Sequence, residues 1–235
     1  MTHSVAQRPV PAPNTVQIWS DLLCPFAYVA IHRLMAAREK AGLTEQVQID
    51  HHCFPLELFN GPHPRPGTDS EAVGLGQIEP DAQFRLWTGP EWAYPSTVLL
   101  AAEAVLAAKE QSLNLSAELD LALRRGFWSS SRSIAHRQVI LDIAAEVPGL
   151  DVAALTEALD TGRHRIDVMN DFAVSSGDEV KGSPHLFLAD GWEANNPGIS
   201  VHWQGPWAEG FPVVDSHDSD WIDEIFKRLG TQAGA

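Results

Sequence analysis

The stretch "SDLLCPFAYVAIHRL", Ser20–Leu34, joins two segments with different hydrophobic periods and decides the fold. The run "VQIW" before it, Val16–Trp19, is rich in β-forming residues and predicts a short strand. From Pro25 onward, apolar residues recur at four-residue spacing as far as Leu34, which is typical of a helix. Gly42 provides the expected stop for that helix.

A second strand follows the helix. The segment "EQVQIDHHCF" alternates Val47, Ile49 and His51 with polar neighbours before Pro55. The order strand, helix, strand indicates a βαβ unit with two parallel strands. The carboxyl ends of these strands therefore share one edge of a sheet.

The rest of the chain divides into an irregular segment, a helical region and a last group of strands. The Gly- and Pro-rich segment "NGPHPRPGTDSEAVGLGQ" is predicted to lack regular structure. Helical patterns follow in "STVLLAAEAVLAAKEQ", "SAELDLALRRGFWSS", "RQVILDIAAEV" and "DVAALTEALDTG", and "RIDVMNDFAVSSG" leads back toward the sheet. "GSPHLFLAD" and "ISVHWQGP" are predicted to pair as a hairpin, and "DSDWIDEIFKRLG" to form an Asp-capped helix. The prediction is an α/β fold whose β-α-β and β-β-α halves are separated by a helical insertion.

Composition excludes two classes of protein. The 235 residues carry 16 basic and 31 acidic side chains, a formal charge of -15, and no basic cluster that a nucleic-acid-binding protein would need. No apolar run is long enough to span a membrane, and the first residues lack the apolar core of a secretory signal. We therefore expect a cytoplasmic location, where two cysteines would not normally form a structural disulfide.

Cys24 is the main candidate for chemistry. It lies where a strand passes into a helix, and Pro25 suits the first helical turn because a missing N–H costs nothing there. The free N–H groups and the positive end of the helix dipole would stabilise a thiolate, which predicts a lowered pKa and a nucleophilic sulfur. The alternative is a buried, inert cysteine, the commonest state of a free thiol in proteins.

The segment "WSDLLCPFAY" resembles the active-site motif of the DsbA-like thioredoxin superfamily, especially its FrnE-type cytoplasmic branch with the pattern S-D-x-x-C-P-W-C-Y. The matching residues are Ser20, Asp21, Cys24, Pro25 and Tyr28. Phe26 stands in place of the tryptophan, and Ala27 in place of the second cysteine.

A second segment, "VKGSPHLFL", resembles the G-x-P-x-F segment of the same family. Gly182 and Pro184 match, while Ser183 and His185 occupy variable positions. The resemblance implies a cis bond before Pro184, opposite Cys24, with the backbone of Ser183 offered to substrate. Pro25 and Phe26 are expected to contact substrate as well, and Asp21 and Ala27 to support the site.

The resemblance also implies the domain organisation. It predicts a thioredoxin-like core formed by residues 15–60 and 166–230, with a mainly helical subdomain inserted at 61–165. Residues 1–14, which include the proline-rich "RPVPAPN", are expected to form a flexible tail.

The departure from the family pattern changes the expected chemistry. A complete family member uses its second cysteine to resolve the mixed disulfide formed by the first, and Ala27 cannot do so. The prediction is therefore a thiol-disulfide oxidoreductase acting through Cys24 alone, with no tightly bound cofactor. Glutathione or another low-molecular-weight thiol would be the co-substrate. The other partner would be a protein or small molecule bearing a thiol or disulfide, and the enzyme would be a monomer or homodimer.

Two residues near Cys24 have open interpretations. Cys53, at the end of the second strand, is either a displaced resolving thiol or an inert cysteine, because the geometry of a disulfide is strict. Asp21 is either a buried acid beside Cys24 or a turn residue at the end of the strand. The sequence "HHC", His51–Cys53, lacks a second ligand pair at metal spacing and gives no support to a zinc site.

Two other functions compete with monothiol oxidoreduction. The related kappa-class glutathione transferases and hydroxychromene-carboxylate isomerases share the insertion topology but place serine at the active-site position, so Cys24 argues against them. The second alternative is a degenerate member that binds a peptide or small molecule without catalysis.

Overall fold

The computed structural model describes residues 7–230, and its first elements form the βαβ unit that the sequence predicts. Strand β1 is Thr15–Ser20, helix α1 is Pro25–Lys40 and strand β2 is Gln48–Cys53. The strands are parallel, and their register pairs Ser20 with Cys53 at the carboxyl ends. Every residue of β1 is buried because the strand lies inside the sheet.

Two short strands complete the main sheet. Strand β3, His185–Phe187, pairs antiparallel with β1, and β4, Glu193–Asn195, pairs antiparallel with β3. The order β2-β1-β3-β4, with β1 and β2 parallel, is that of a thioredoxin fold with β-α-β and β-β-α halves. The fold class predicted from the sequence is confirmed.

The predicted hairpin between "GSPHLFLAD" and "ISVHWQGP" is wrong. After β3 the chain turns at once through Gly191, which has a φ of 89°, so the local partner of β3 is β4. Strand β5, Ile199–Gln204, pairs instead with β6, Phe211–His217, in a separate two-stranded sheet. We call β5, β6 and the loop between them the β5–β6 hairpin.

The segment predicted to be irregular, residues 60–77, contains helix α3, Arg65–Gly76. It begins at the last residue of a short helix, α2, Leu56–Asn60. In α3 the glycines allow close packing: a Cβ at Gly67 would lie 3.3 Å from the Trp207 ring, and one at Gly74 would lie 3.1 Å from the Pro212 side chain. Tertiary contact with the β5–β6 hairpin thus supports a helix that local propensity disfavours.

The remaining helices follow in chain order. They are α4, Leu99–Ala108; α5, Leu113–Ser130; α6, Arg137–Ala144; α7, Val152–Thr161; α8, Arg165–Ser175; and α9, Asp220–Arg228. Asp151 caps α7 by accepting from the N–H groups of Ala153 and Ala154. For α9, the Asp218 carboxylate accepts from the N–H of Asp220. Helices α5 and α8 both pack on β2, so the helical region and the sheet share buried surface.

The predicted domain boundaries remain a prediction. Residues 1–6 of the predicted tail lie outside the described residues. Of its remainder, Arg8 lies with its guanidinium carbon 3.9 Å from the centre of the Phe187 ring and donates to Gln17 Oε1 at 2.8 Å. Gln17 Nε2 donates in turn to the carbonyl of Pro9.

Candidate active site

Cys24 is the N-cap of α1. Its backbone is extended, with φ −82° and ψ 113°, and Pro25 takes the first helical position. The Cys24 carbonyl accepts the N–H of Tyr28 at 3.1 Å, which closes the first helical turn. The side chain is free of any disulfide and only 5% exposed. The strand-to-helix junction is therefore where the sequence places it, but the thiol is more enclosed than a helix terminus alone would suggest.

The segment before β3 reaches Cys24 directly. Cys24 Sγ lies 3.1 Å from the carbonyl oxygen of Ser183, to which the thiol donates a hydrogen bond. The Ser183 hydroxyl accepts the backbone N–H of Asp21 at 2.9 Å. The peptide bond between Ser183 and Pro184 is cis. Two segments separated by 159 positions thus meet through Ser183.

Asp21 is both a buried acid and a turn residue. Its Oδ1 accepts the N–H of Leu23 at 2.7 Å, within the turn that leads to Cys24. Its Oδ2 accepts the N–H of Leu56 at 2.9 Å, at the start of α2. One carboxylate therefore fixes the turn before Cys24 and ties it to the chain after β2.

Arg124, in α5, fixes the same turn from the other side. Its guanidinium donates to the Asp21 carbonyl and to Ser20 Oγ, both at 2.7 Å. Asp120, one helical turn earlier, compensates the buried charge through hydrogen bonds at 2.7 and 3.1 Å. A buried ion pair thus holds Ser20 and Asp21 of the motif in place. Trp128 also stabilises the turn, by donating a hydrogen bond to the Leu22 carbonyl.

A cavity of about 220 Å³ opens on Cys24. Its walls include Pro25, Phe26 and Ser183, three of the residues predicted to contact substrate. Pro184 does not line the cavity. Asp21 lies outside the wall as well, and Ala27 is fully buried in the core. Their functional roles remain predictions.

Sequence reasoning missed the other wall of the cavity. It is formed by Leu56, Asn60, Gly61, His63, Glu71 and Trp207. His63 and Glu71 belong to the segment interpreted as irregular, and Trp207 to the loop of the β5–β6 hairpin. A charged residue inside an amphipathic helix gives no local sign that it faces a site, so only the packing of α3 against the hairpin reveals it.

The pKa prediction for Cys24 is wrong. Burial raises the pKa of this thiol to about 11, and the carboxylates of Glu71 and Asp21 act in the same direction. Contacts with Ser183 and with the backbone of Ala27 oppose the shift but are weaker. The helix terminus favours a thiolate, but removal from water costs the charged form more.

Cys53 occupies a different environment from Cys24. Its side chain packs with Ala102, Leu106 and Val168 on the face covered by α4 and α8. Its backbone N–H donates to Asp171 Oδ2 at 2.8 Å. Burial raises the pKa of the Cys53 thiol well above its ordinary value, and neighbouring carboxylates add to the shift. Cys53 is absent from the cavity wall, which favours the inert interpretation over that of a resolving thiol.

The buried turn, the thiol and the facing Ser183 define a site of the thioredoxin class. Residues 15–202 match the DSBA-like thioredoxin domain. Because this match covers most of the chain, the protein belongs to the DsbA-like thioredoxin family. No curated protein matches the sequence.

Solved structures agree on the fold. A probable DsbA oxidoreductase from Streptomyces coelicolor has a TM-score of 0.60 and 17% identity, over 94% of this chain and 92% of the other. The cytosolic disulfide reductase DsbM from Pseudomonas aeruginosa has a TM-score of 0.57 and 17% identity, over 92% and 98%. A structure of DsbM with GSH has a TM-score of 0.52 and 18% identity, over 92% and 99%. At these identities the likeness concerns the fold.

Two features are absent from residues 7–230. None of the helices formed by these residues is long and apolar enough to cross a membrane. The same part of the chain holds no group of three or more His, Cys, Asp or Glu side chains arranged to bind a metal ion.

Proposed function

We propose that the protein is a thiol-disulfide oxidoreductase that works through Cys24 alone. The observation that carries this proposal is the position of Cys24 Sγ, in contact with the Ser183 carbonyl at 3.1 Å and on the wall of a cavity. Family membership supplies the reaction class, and Ala27 in place of a second cysteine restricts it to a monothiol route.

The reaction consists of two exchanges. In the first, Cys24–SH and a disulfide R–S–S–R give the mixed disulfide Cys24–S–S–R and release RSH, so one S–S bond forms as another breaks. In the second, an external thiol R′SH attacks the R sulfur, restores Cys24–SH and leaves R–S–S–R′. The external thiol is the reductant, and it resolves the mixed disulfide, which Ala27 cannot do.

The raised pKa of the Cys24 thiol makes this reaction slow at neutral pH. With a pKa near 11, few molecules carry a thiolate at pH 7, although each thiolate is intrinsically a strong nucleophile. Exchange is therefore slow near neutrality and accelerates as the pH rises. The Ser183 carbonyl, which accepts from the resting thiol, becomes available to an extended substrate once the sulfur is engaged.

Glutathione is one candidate for the external thiol, since a structure of the similar reductase DsbM contains GSH. We further propose a cytoplasmic site of action, where such thiols are abundant.

Mass spectrometry of the intact protein tests the proposal. After exposure to 2-hydroxyethyl disulfide, one adduct is expected, located at Cys24 by peptide mapping and removed by added thiol. Cys53→Ala should give the same adduct. Absence of any adduct at Cys24 in folded protein, at pH values up to 9, would favour a binding protein without catalysis.

A further inference from the structure

The cavity at Cys24 is acidic. Glu71 lies in its wall and is only 7% exposed, while Asp21 lies just beneath. Among the described residues, neither lysine nor arginine contributes to the wall. A buried carboxylate normally has a cationic or hydrogen-bonding partner, because an isolated charge is costly away from water.

The polar groups of the cavity are incompletely paired. Glu71 has a hydrogen bond with Trp207, and none of the described lysines and arginines forms an ion pair with it. The His63 side chain is 10% exposed, and its Nε2 has no hydrogen-bond partner. That nitrogen lies 3.8 Å from Asp21 Oδ1, which is longer than a hydrogen bond. The cavity therefore offers negative charge and an unused polar atom to a ligand.

Aromatic rings complete the wall around Glu71. Trp207 and Phe26 both line the cavity, and the indole packs closely on the backbone of α3 at Gly67. A wall that contains both a carboxylate and aromatic rings can stabilise an ammonium group, by charge and by cation–π attraction. The cavity volume of about 220 Å³ is below the roughly 300–1,000 Å³ of sites for drug-sized ligands, so the group is small.

We propose that the low-molecular-weight partner of Cys24 is an aminothiol, carrying an ammonium group near its sulfur that Glu71 binds. This proposal rests on the monothiol chemistry proposed above and names the class of its co-substrate. With cystamine the step is Cys24–SH + R–S–S–R → Cys24–S–S–R + RSH, where R is an aminoethyl group with a protonated amine. The bound ammonium then lies beside Glu71 and Trp207. Thiols whose only charged groups are carboxylates are disfavoured by the same charge.

The preference for a cation depends on pH. Burial raises the pKa of Glu71 to about 7, against the hydrogen bond from Trp207 and the charge of His63. Burial also acts to lower the pKa of His63, but the carboxylates of Asp21, Glu71 and Glu57 outweigh it and hold that pKa above its ordinary value. Besides His63, the titratable groups influenced by Glu71 are Cys24 and Tyr94, both neutral near pH 7. Between pH 6 and 8, Glu71 gains a negative charge, so the cation preference increases.

Three disulfides of similar length separate charge from intrinsic reactivity. Cystamine is cationic, 2-hydroxyethyl disulfide is neutral and 3,3′-dithiodipropionate is anionic. The rate of adduct formation at Cys24 is measured with each at pH 6 and pH 8, and divided by the rate for free N-acetylcysteine under the same conditions. The normalised ratio of cystamine to the neutral disulfide is expected to be about tenfold at pH 8, which corresponds to about 1.4 kcal/mol, and smaller at pH 6. The anionic disulfide is expected to be the slowest.

The variant Glu71→Gln removes the charge and keeps the shape of the side chain. Its ratio is expected to fall below about twofold, even though all three rates can rise together through a lower Cys24 pKa. Glu209→Gln, an exposed position on the β5–β6 hairpin, makes the same change in net charge and should keep the wild-type ratio.

The results test the aminothiol proposal and the monothiol function separately. A wild-type ratio near one, a ratio unchanged between pH 6 and 8, or a Glu71→Gln ratio equal to that of the wild type overturns the aminothiol proposal. If Glu71→Gln fails to fold, the wild-type pH comparison decides alone. If the neutral disulfide gives no adduct in the wild type, the monothiol function itself fails.

Discussion

The carboxyl ends of β1 and β2 lead to two cysteines that share their burial but not their surroundings. Cys24 and Cys53 are 5% and 7% exposed, and burial raises the pKa of both. Cys24 borders a cavity and faces the Ser183 carbonyl, whereas Cys53 packs among aliphatic side chains under α4 and α8. Burial and pKa therefore do not distinguish a reactive thiol from a structural one here. What distinguishes them is the cavity: Cys24 has space beside its sulfur for a second sulfur, whereas Cys53 is absent from the cavity wall.

The largest expected effect comes from removing each sulfur in turn. Cys24→Ala should abolish formation of a mixed disulfide with 2-hydroxyethyl disulfide, because no other thiol lines the cavity. Cys53→Ala places a small apolar side chain in an apolar environment and should leave the adduct rate within about twofold. Intact-mass spectrometry against time gives both rates. Equal losses in the two variants would show that the comparison between the two sites is wrong.

The next effect in size follows from restoring the missing cysteine. Ala27→Cys should form an internal disulfide with Cys24 under mild oxidant, since the two positions lie one helical turn apart. Reduction of a model protein disulfide should accelerate about tenfold or more, because a resolving thiol on the same helix has a high effective concentration. Insulin turbidity measures the rate.

The double variant Ala27→Cys, Cys53→Ala is the matched control for that experiment. It should behave as Ala27→Cys does. A disulfide between Cys24 and Cys53, found by peptide mapping in either protein, would contradict the assignment of Cys53 as inert.

A smaller effect concerns ionisation of Cys24. Burial raises the pKa of Cys24 to about 11. The rate of its alkylation by iodoacetamide should therefore continue to increase with pH beyond about 8.5, the midpoint for a free cysteine. Glu71→Gln should move the midpoint downward, because the carboxylate raises the pKa of the thiol. Rates are measured in Cys53→Ala, so that one thiol reports. A midpoint below 8.5 would restore the lowered pKa that the helix terminus predicts.

The smallest effect is expected from a change beside Cys53. Asp171→Asn weakens the bonds to the Cys53 N–H and to His52, each 2.8 Å long in the structure. Loss of these charge-assisted bonds should lower the free energy of unfolding by about 1–3 kcal/mol, measured with urea. Labelling of Cys53 should increase, while the Cys24 adduct rate stays close to that of the wild type. A large fall in that rate would mean that the two environments are coupled.

The sequence predicts the βαβ unit because the patterns that define it are local. The β-forming run of β1, the alternation in β2, the four-residue period of α1 and the position of Pro25 each lie within a few residues of the structure that they specify. The two family motifs are likewise short, and they bring Cys24, Phe26 and Ser183 into one site.

What the sequence does not predict depends on distant contacts. Helix α3 contains three glycines and a proline, and its packing partners Trp207 and Pro212 come more than 100 positions later. Without α3, Glu71 has no assigned place in the site. The prediction of a lowered pKa for Cys24 is wrong for a similar reason: the helix terminus is visible in the sequence, but the degree of burial is a property of the assembled fold.

The hydrogen bonds of Arg124 limit how this protein can be divided. The arginine belongs to α5, yet its two bonds of 2.7 Å end on the turn that leads to Cys24. Deleting the helices to obtain a minimal thioredoxin would remove Arg124, and the Ser20 hydroxyl and the Asp21 carbonyl would lose their hydrogen-bond donor. Grafting the motif "SDLLCPFAY" onto another thioredoxin would fail similarly unless an arginine reached it from outside. The turn before Cys24 and the helical region are therefore one unit for engineering, although they are separate in the sequence.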